Sequence, residues 1–184
     1  MSLFFRTYRM TYDKDGSGKP IEGVFTLVIV HDGDYWLQPM YVYRDGLIDC
    51  RGLVDFERFK TKVRAGQVLV RPPEGARIVV EGLASFTSIR VDSKEDPEDF
   101  INEVAYQLEV LRGEATAAER CREALELCER EPSEENRRAL AAAYDSVPMR
   151  RRRREIGRGE TVERRIQAAI GTIPRPSVLD CDIS

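Results

Sequence analysis

The residues best suited to chemistry are carboxylates, a lone histidine and a block of arginines. In DKDGSGKPIEGV, residues 13–24, Asp13, Asp15 and Ser17 hold the first, third and fifth places of a helix–loop–helix calcium loop, and Gly18 holds its sharp-turn position. The pattern then fails. The twelfth place, which needs a bidentate carboxylate, is Val24, the eighth is Pro20, and both flanks read as strands. Asp, Gly and Ser are also the residues a hairpin turn requires, so a solvated loop is expected, with a weak loop-only calcium site as the alternative. His31 is the sole histidine and lies beside Asp32. One imidazole can serve as a general base. Asp32, Asp34, Asp45 and Asp49 could assist a metal-dependent hydrolysis if the fold brought them together. The chain lacks a G-x-S-x-G nucleophile setting, a P-loop and a G-x-G-x-x-G fingerprint, and the Gly157-Arg158-Gly159 run is too short to cradle phosphate. No catalytic, cofactor or metal residue is assigned on this basis.

The arginines offer a different chemistry. Arg150, Arg151, Arg152, Arg153 and Arg154 are consecutive, and Arg158 follows closely. Guanidinium groups clamp phosphates bidentately, and clustered cations confer salt-dependent affinity for nucleic acid. Two facts weigh against that. The chain has 24 Arg and 5 Lys, so arginine is used everywhere, and five successive arginines on a helix point all around its axis. The acidic stretch before them offers intramolecular partners. Residues 1–112 carry a net charge of −3, residues 113–148 carry −4, and residues 149–184 carry +4.

A third group is aromatic. Phe4, Phe5, Tyr8, Tyr12, Tyr35, Trp36, Tyr41 and Tyr43 crowd into the first strand-like runs. Aromatic residues on strands usually serve the core or cross-strand pairs. Because they alternate, some must face outward unless a helix covers the second face. An exposed set, with Tyr35, Trp36, Tyr41 and Tyr43 at its centre, would suit either a protein partner or stacked bases.

These side chains need elements to position them. LFFRTYRMTY, GVFTLVIVH and YWLQPMYVY are alternating or β-branched and read as strands, with Pro39 pointing to an edge or a bulge. Asp32-Gly33 and Asp45-Gly46 are hairpin signals, so the first four strands should form a meander. In VDFERFKTKVRAG the period changes: Phe56, Phe59 and Val63 share a helical face, Asp55 can cap the start and Gly66 the end. QVLVR, ARIVVEG and SFTSIRV return to strand. Asp96 and Pro97 open a helix whose stripe is Phe100, Val104, Leu108 and Leu111, closed by Gly113. Thr116 and Glu119 form a capping-box pattern for a helix to about Arg130, with Cys121, Leu125 and Cys128 on one side. Pro132-Ser133 breaks and recaps into a second helix with Leu140 and Tyr144 inward. One or two more helices fit residues 149–170.

The expected fold class is α+β: a mostly antiparallel sheet or small barrel with one or two packed helices over residues 1–112. A C-terminal helical hairpin and extension follow over 113–170, then an extended tail over 171–184. Four scattered cysteines, Cys50, Cys121, Cys128 and Cys181, form no disulfide framework or zinc pattern, and buried reduced thiols are expected. No apolar run reaches the length of a membrane span and the first residues do not form a signal peptide, so a cytoplasmic protein is expected.

YVYRDGLIDCRGLVDFERFKTKVRAGQVLVRPPEGARI, residues 41–78, resembles a run found in a small uncharacterised bacterial α+β protein family. The resemblance spans residues 3–112 and, more loosely, the helical hairpin. It implies a bacterial cytosolic α+β protein and carries over no functional residue. The functional expectation is a non-enzymatic accessory, regulatory or immunity-type module that binds another protein. The alternatives are a nucleic-acid-binding accessory protein using residues 149–165, and an unrecognised metal-dependent hydrolase.

Overall fold

The computed structural model describes residues 4–12, 18–89, 96–156 and 160–171. The chain folds as two compact units, Met1–Glu114 and Ala115–Ser184.

The first unit is α+β, built on an open, mainly antiparallel sheet of eight strands. They are β1 (Phe5–Tyr12), β2 (Gly18–Asp32), β3 (Asp34–Tyr43), β4 (Ile48–Asp49), β5 (Leu53–Val54), β6 (Val68–Leu69), β7 (Arg77–Val80) and β8 (Ala84–Thr87). The first five run as a meander in sequence order, one strand longer than the sequence suggests. β6 pairs with β2, β7 pairs parallel with β3, and β8 pairs with β7. The barrel alternative is therefore replaced by an open sheet.

Local chemistry sets the corners. β2 and β3 meet at Gly33. Between β3 and β4, Tyr43 donates its N–H to the Leu47 carbonyl at 2.9 Å, and Gly46 donates to the Tyr43 carbonyl at 2.9 Å. Asp45 Oδ1 accepts the Leu47 N–H at 3.2 Å, and Gly46 adopts φ 90°. A three-residue turn ending in a left-handed position is what this hairpin length requires, and glycine fills it without steric cost. Pro39 pairs with Leu27 on one side. On its other side β3 meets β4 only at Tyr41–Val42 and β7 only at Tyr35–Trp36, so the proline falls in the gap between two partners. The missing N–H costs no ladder bond there, which explains a proline inside a ten-residue strand.

Period-2 alternation divides the sheet into two faces. Val24, Val28, Val30, Met40, Val42, Ile48, Val54 and Val68 all join one buried cluster. Helix α1 (Phe56–Arg64) and helix α2 (Pro97–Arg112) close that face with Phe59, Val63, Phe100, Ile101, Val104 and Leu108. Phe59 and Phe100 meet edge to face at 5.8 Å. Both helices start at their sequence caps: Asp55 Oδ1 accepts the Arg58 N–H at 2.7 Å, and Asp96 Oδ1 accepts the Glu98 N–H at 3.0 Å. Ala65 is the C-cap of α1, with Gly66 one residue beyond at φ 69°. α2 also buries Glu103 and Gln107 beyond its apolar stripe, and Gln107 Nε2 donates to Glu103 Oε1 at 3.1 Å.

The second unit is helical. It comprises α3 (Ala117–Arg130), α4 (Glu134–Ser146), a short α5 (Met149–Arg151) that widens into a π-helical turn at Arg152–Ile156, and α6 (Glu160–Gly171). The Thr116–Glu119 capping box is complete in both directions. Cys121, Leu125, Cys128, Leu140, Tyr144, Val147, Ile156 and Ile166 form a second core.

Candidate functional site

The opposite face of the sheet carries the most distinctive surface. Strand register aligns Phe5 with Phe25, Phe25 with Tyr41, Tyr41 with Asp49, and Asp49 with Leu53. These five side chains form one row across five consecutive strands, on the face that α1 and α2 do not cover. The rings touch in sequence: Phe5 to Phe25 at 5.3 Å, Phe25 to Tyr41 at 5.8 Å, and Tyr41 to Tyr43 at 6.2 Å with planes 5° apart. Leu27 and Pro39 form the adjacent cross-strand pair and both are exposed. Phe5, Leu27 and Leu53 are each about half exposed, at 51%, 56% and 49%. Further along the same face, His31 stacks on Tyr35 at 4.4 Å, with planes 10° apart.

The chain of touching rings is pinned where it ends, at Tyr43. Tyr43 folds over its cross-strand neighbour Gly23 and is almost fully buried. A Cβ at Gly23 would lie 2.7 Å from Tyr43 Cδ1 and 2.7 Å from the Val42 carbonyl oxygen. The strand glycine is needed because the phenol occupies the space a side chain would take. The Arg9 guanidinium then covers Tyr43 at 4.8 Å and pairs with the Asp45 carboxylate. Burial raises the Tyr43 pKa above its ordinary value, the Asp49 carboxylate adds to the rise, and Arg9 opposes it. Tyr43 is therefore a neutral, fixed wall, and Tyr41 and Phe25 are the more open members.

The electrostatics of the row are informative. Its one charge is Asp49, whose Oδ1 accepts the Gly52 N–H at 2.9 Å. Arg9, which lies on this face, is already paired with Asp45. Such a surface presents stacked aromatic and aliphatic area without the cationic groove that tracks a phosphate backbone.

Sequence-proposed residues divide accordingly. Tyr35, Tyr41 and Tyr43 share the outward face, whereas Trp36 lies on the opposite side, opposite Val30. Arg51 covers the Trp36 ring at 5.3 Å and bonds Asp32 at 3.0 Å. Phe25, Leu27 and Leu53 belong to the surface but were not singled out by composition. The run GVFTLVIVH is apolar at nearly every position, so its alternation could not show which side faces out. Asp32, Asp45 and Asp49 are spent on Arg51, Arg9 and the Gly52 N–H, respectively. Among the described residues no three His, Cys, Asp or Glu side chains are grouped to hold a metal ion. Residues 13–17 of the calcium-like loop lie outside the described residues.

The arginine block forms α5 and the π-helical turn. Arg152 lies over the Tyr144 ring at 4.3 Å, donates from Nε to the Val147 carbonyl at 3.0 Å, and stands 3.9 Å from Asp145. Arg151 lies 3.6 Å from Glu155, and Arg154 lies 3.2 Å from it. Arg150 and Arg154 are exposed. The Arg153 side chain and Arg158 lie outside the described residues. Cys121 sits in the same core, where burial pushes its thiol pKa up against the pull of Arg152 and Arg122. Cys50 is likewise raised by burial. Cys50, Cys121 and Cys128 are buried free thiols, and a raised pKa disfavours the reactive thiolate.

Residues 10–115 match the model of a family described as Domain of unknown function (DUF7638), and residues 116–177 match one described as Domain of unknown function (DUF7639). No curated protein and no solved structure matches the chain.

Proposed function

We propose that this chain, which belongs to the DUF7638 family, is a non-enzymatic protein-binding module, an accessory, regulatory or immunity-type component of a bacterial cytosol. The observation that carries the proposal is the row Phe5–Phe25–Tyr41–Asp49–Leu53 with its neighbours Leu27 and Pro39. Aromatic side chains on a rigid sheet lose little conformational entropy on binding and are favoured as interface anchors. A protein partner suits a nearly uncharged row better than a polyanion does. The nucleic-acid alternative draws less support from the arginine turn, because Arg151, Arg152 and Arg154 each have intramolecular partners. The free buried thiols accord with a reducing compartment. No helix among the described residues is long and apolar enough to cross a membrane.

The test is capture from a native-host lysate with the full chain, wild type against Tyr41→Ala and Leu27→Arg, with and without nuclease. The expected result is a defined protein whose recovery survives nuclease and falls at least tenfold with either variant, as loss of an interface anchor predicts. Recovery abolished by nuclease, or unchanged by both variants, would overturn the reading.

A further inference from the structure

β4 and β5 form the short end of the meander. Each has two residues, β4 meets β3 only at Tyr41–Val42, and β5 pairs with β4 alone among the described residues. Cys50-Arg51-Gly52 joins them. The result is a strap held by few ladder bonds, the kind of segment that opens locally before the rest of a domain. Arg51 sits in it at φ 61°, and no other described residue apart from glycines has a positive φ. A residue with a Cβ is strained there, and glycine is what such a position favours. What arginine gains lies on the neighbouring strands. Its Nη1 donates to Asp32 Oδ2 at 3.0 Å, at the end of β2, and its guanidinium covers the Trp36 ring of β3 at 5.3 Å. An exposed ion pair and a cation–ring contact are each weak, and their sum is comparable to the strain of one left-handed residue. The closed strap thus rests on a small difference between opposing terms.

We propose that Arg51 is the latch of this strap, and that the strap interconverts between a closed and a locally open arrangement through it. Strained backbone persists where surrounding contacts over-determine it. A turn that only reversed the chain would be served best by glycine at position 51, so the side chain is what the position retains. The antiparallel register of β4 carries the chain from Tyr41 toward Trp36, along the stretch of β3 that neither β4 nor β7 pairs, and the latch fixes the turn there. Closed, the strap sets Asp49 opposite Tyr41 and Leu53 opposite Asp49, which completes the aromatic row, and it keeps Cys50 fully buried. Open, it withdraws Asp49 and Leu53 from the row and exposes the thiol. A partner seated on the complete row binds the closed form better and therefore draws the latch shut. That last consequence rests on the protein-binding reading above; the latch itself does not, and the two can fail separately.

The test is alkylation of the full folded chain with iodoacetamide at fixed pH, with each cysteine resolved by mass spectrometry. Cys50, Cys121 and Cys128 are all buried free thiols, so the two in the helical unit serve as internal controls. Cys50 should label about tenfold faster than wild type in Arg51→Ala, which loses the latch and keeps the strain. It should label severalfold faster in Arg51→Gly, which relieves the strain, and in Asp32→Asn. Cys121 and Cys128 should not change. An Arg51→Gly protein that labels Cys50 no faster than wild type would show that the turn needs only a left-handed residue, and would overturn the latch. An unchanged rate in Asp32→Asn would overturn it equally. If Arg51→Ala lowers the unfolding midpoint of Trp36 fluorescence so far that global unfolding exposes Cys50, Arg51→Gly and Asp32→Asn decide, at mild denaturant concentrations that leave their labelling rates unchanged. In lysate capture, Arg51→Gly should weaken partner recovery. Full recovery alongside fast Cys50 labelling would overturn the strap's control of the surface. Absence of any captured protein with wild type would count against the protein-binding reading, while the labelling rates still decide the latch.

Discussion

Gly23 shows how one residue holds the surface in place. Its hydrogen side admits the Tyr43 ring, and that ring in turn supports Arg9 and ends the chain of touching rings. Gly23→Ala would force a Cβ to 2.7 Å from both a ring carbon and a strand carbonyl. Overpacking of this kind costs about 1–3 kcal/mol. Chemical denaturation should show that loss, and partner capture should weaken with it. A variant as stable as wild type would mean that the ring can move aside at no cost. The glycine's role was hidden in the sequence, because Gly23 and Tyr43 are twenty positions apart and meet only through the β2–β3 register. By contrast, Asp55, Asp96 and Thr116 were legible as caps, since each bonds an N–H two or three residues ahead.

Elements are tied by exposed carboxylates whose protonation has a defined sign. The Arg64 guanidinium bonds Glu98 at 2.7 and 2.9 Å, linking α1 to α2, and holds its carboxyl below the usual 4.5. The Thr116 N–H and hydroxyl do the same for Glu119 at the start of α3, and Arg165 of α6 does so for Glu129 of α3. Each folded-state pKa is depressed. The stabilisation is therefore present above the unfolded value near 4.5 and is lost as pH falls through the folded values. Thermal melting should drop on acidification below about pH 4.5. Glu129→Gln should lower the melting temperature at pH 7, modestly because the pair is exposed and screened, and the difference should vanish in strong acid. A deficit that persists undiminished at low pH would place the effect elsewhere. Helix periods and caps were readable because they repeat within a few residues. β5 was not, since its two residues precede the Asp55 cap and look like the approach to a helix.

For the whole molecule, two separate cores imply two reporters. Phe59 and Trp36 belong to the first unit, and Leu140 is fully buried in the second. Phe59→Ala should destabilise by about 3–5 kcal/mol and shift the unfolding midpoint of Trp36 fluorescence. Leu140→Ala should shift the far-ultraviolet helical signal and leave the Trp36 midpoint in place. Coincident shifts in both signals for both variants would show a single cooperative transition instead. The α+β class, the meander and its turns, the capped helices and their apolar faces were set by short-range chemistry: alternation, caps and turn residues act over a few positions. Residue order alone could not say that the sheet stays open, which face of β3 the helices cover, or that Phe5 and Leu53 stand in one row. Those outcomes depend on which strands pair and in what register, and a shift of one residue would turn every side chain to the other face.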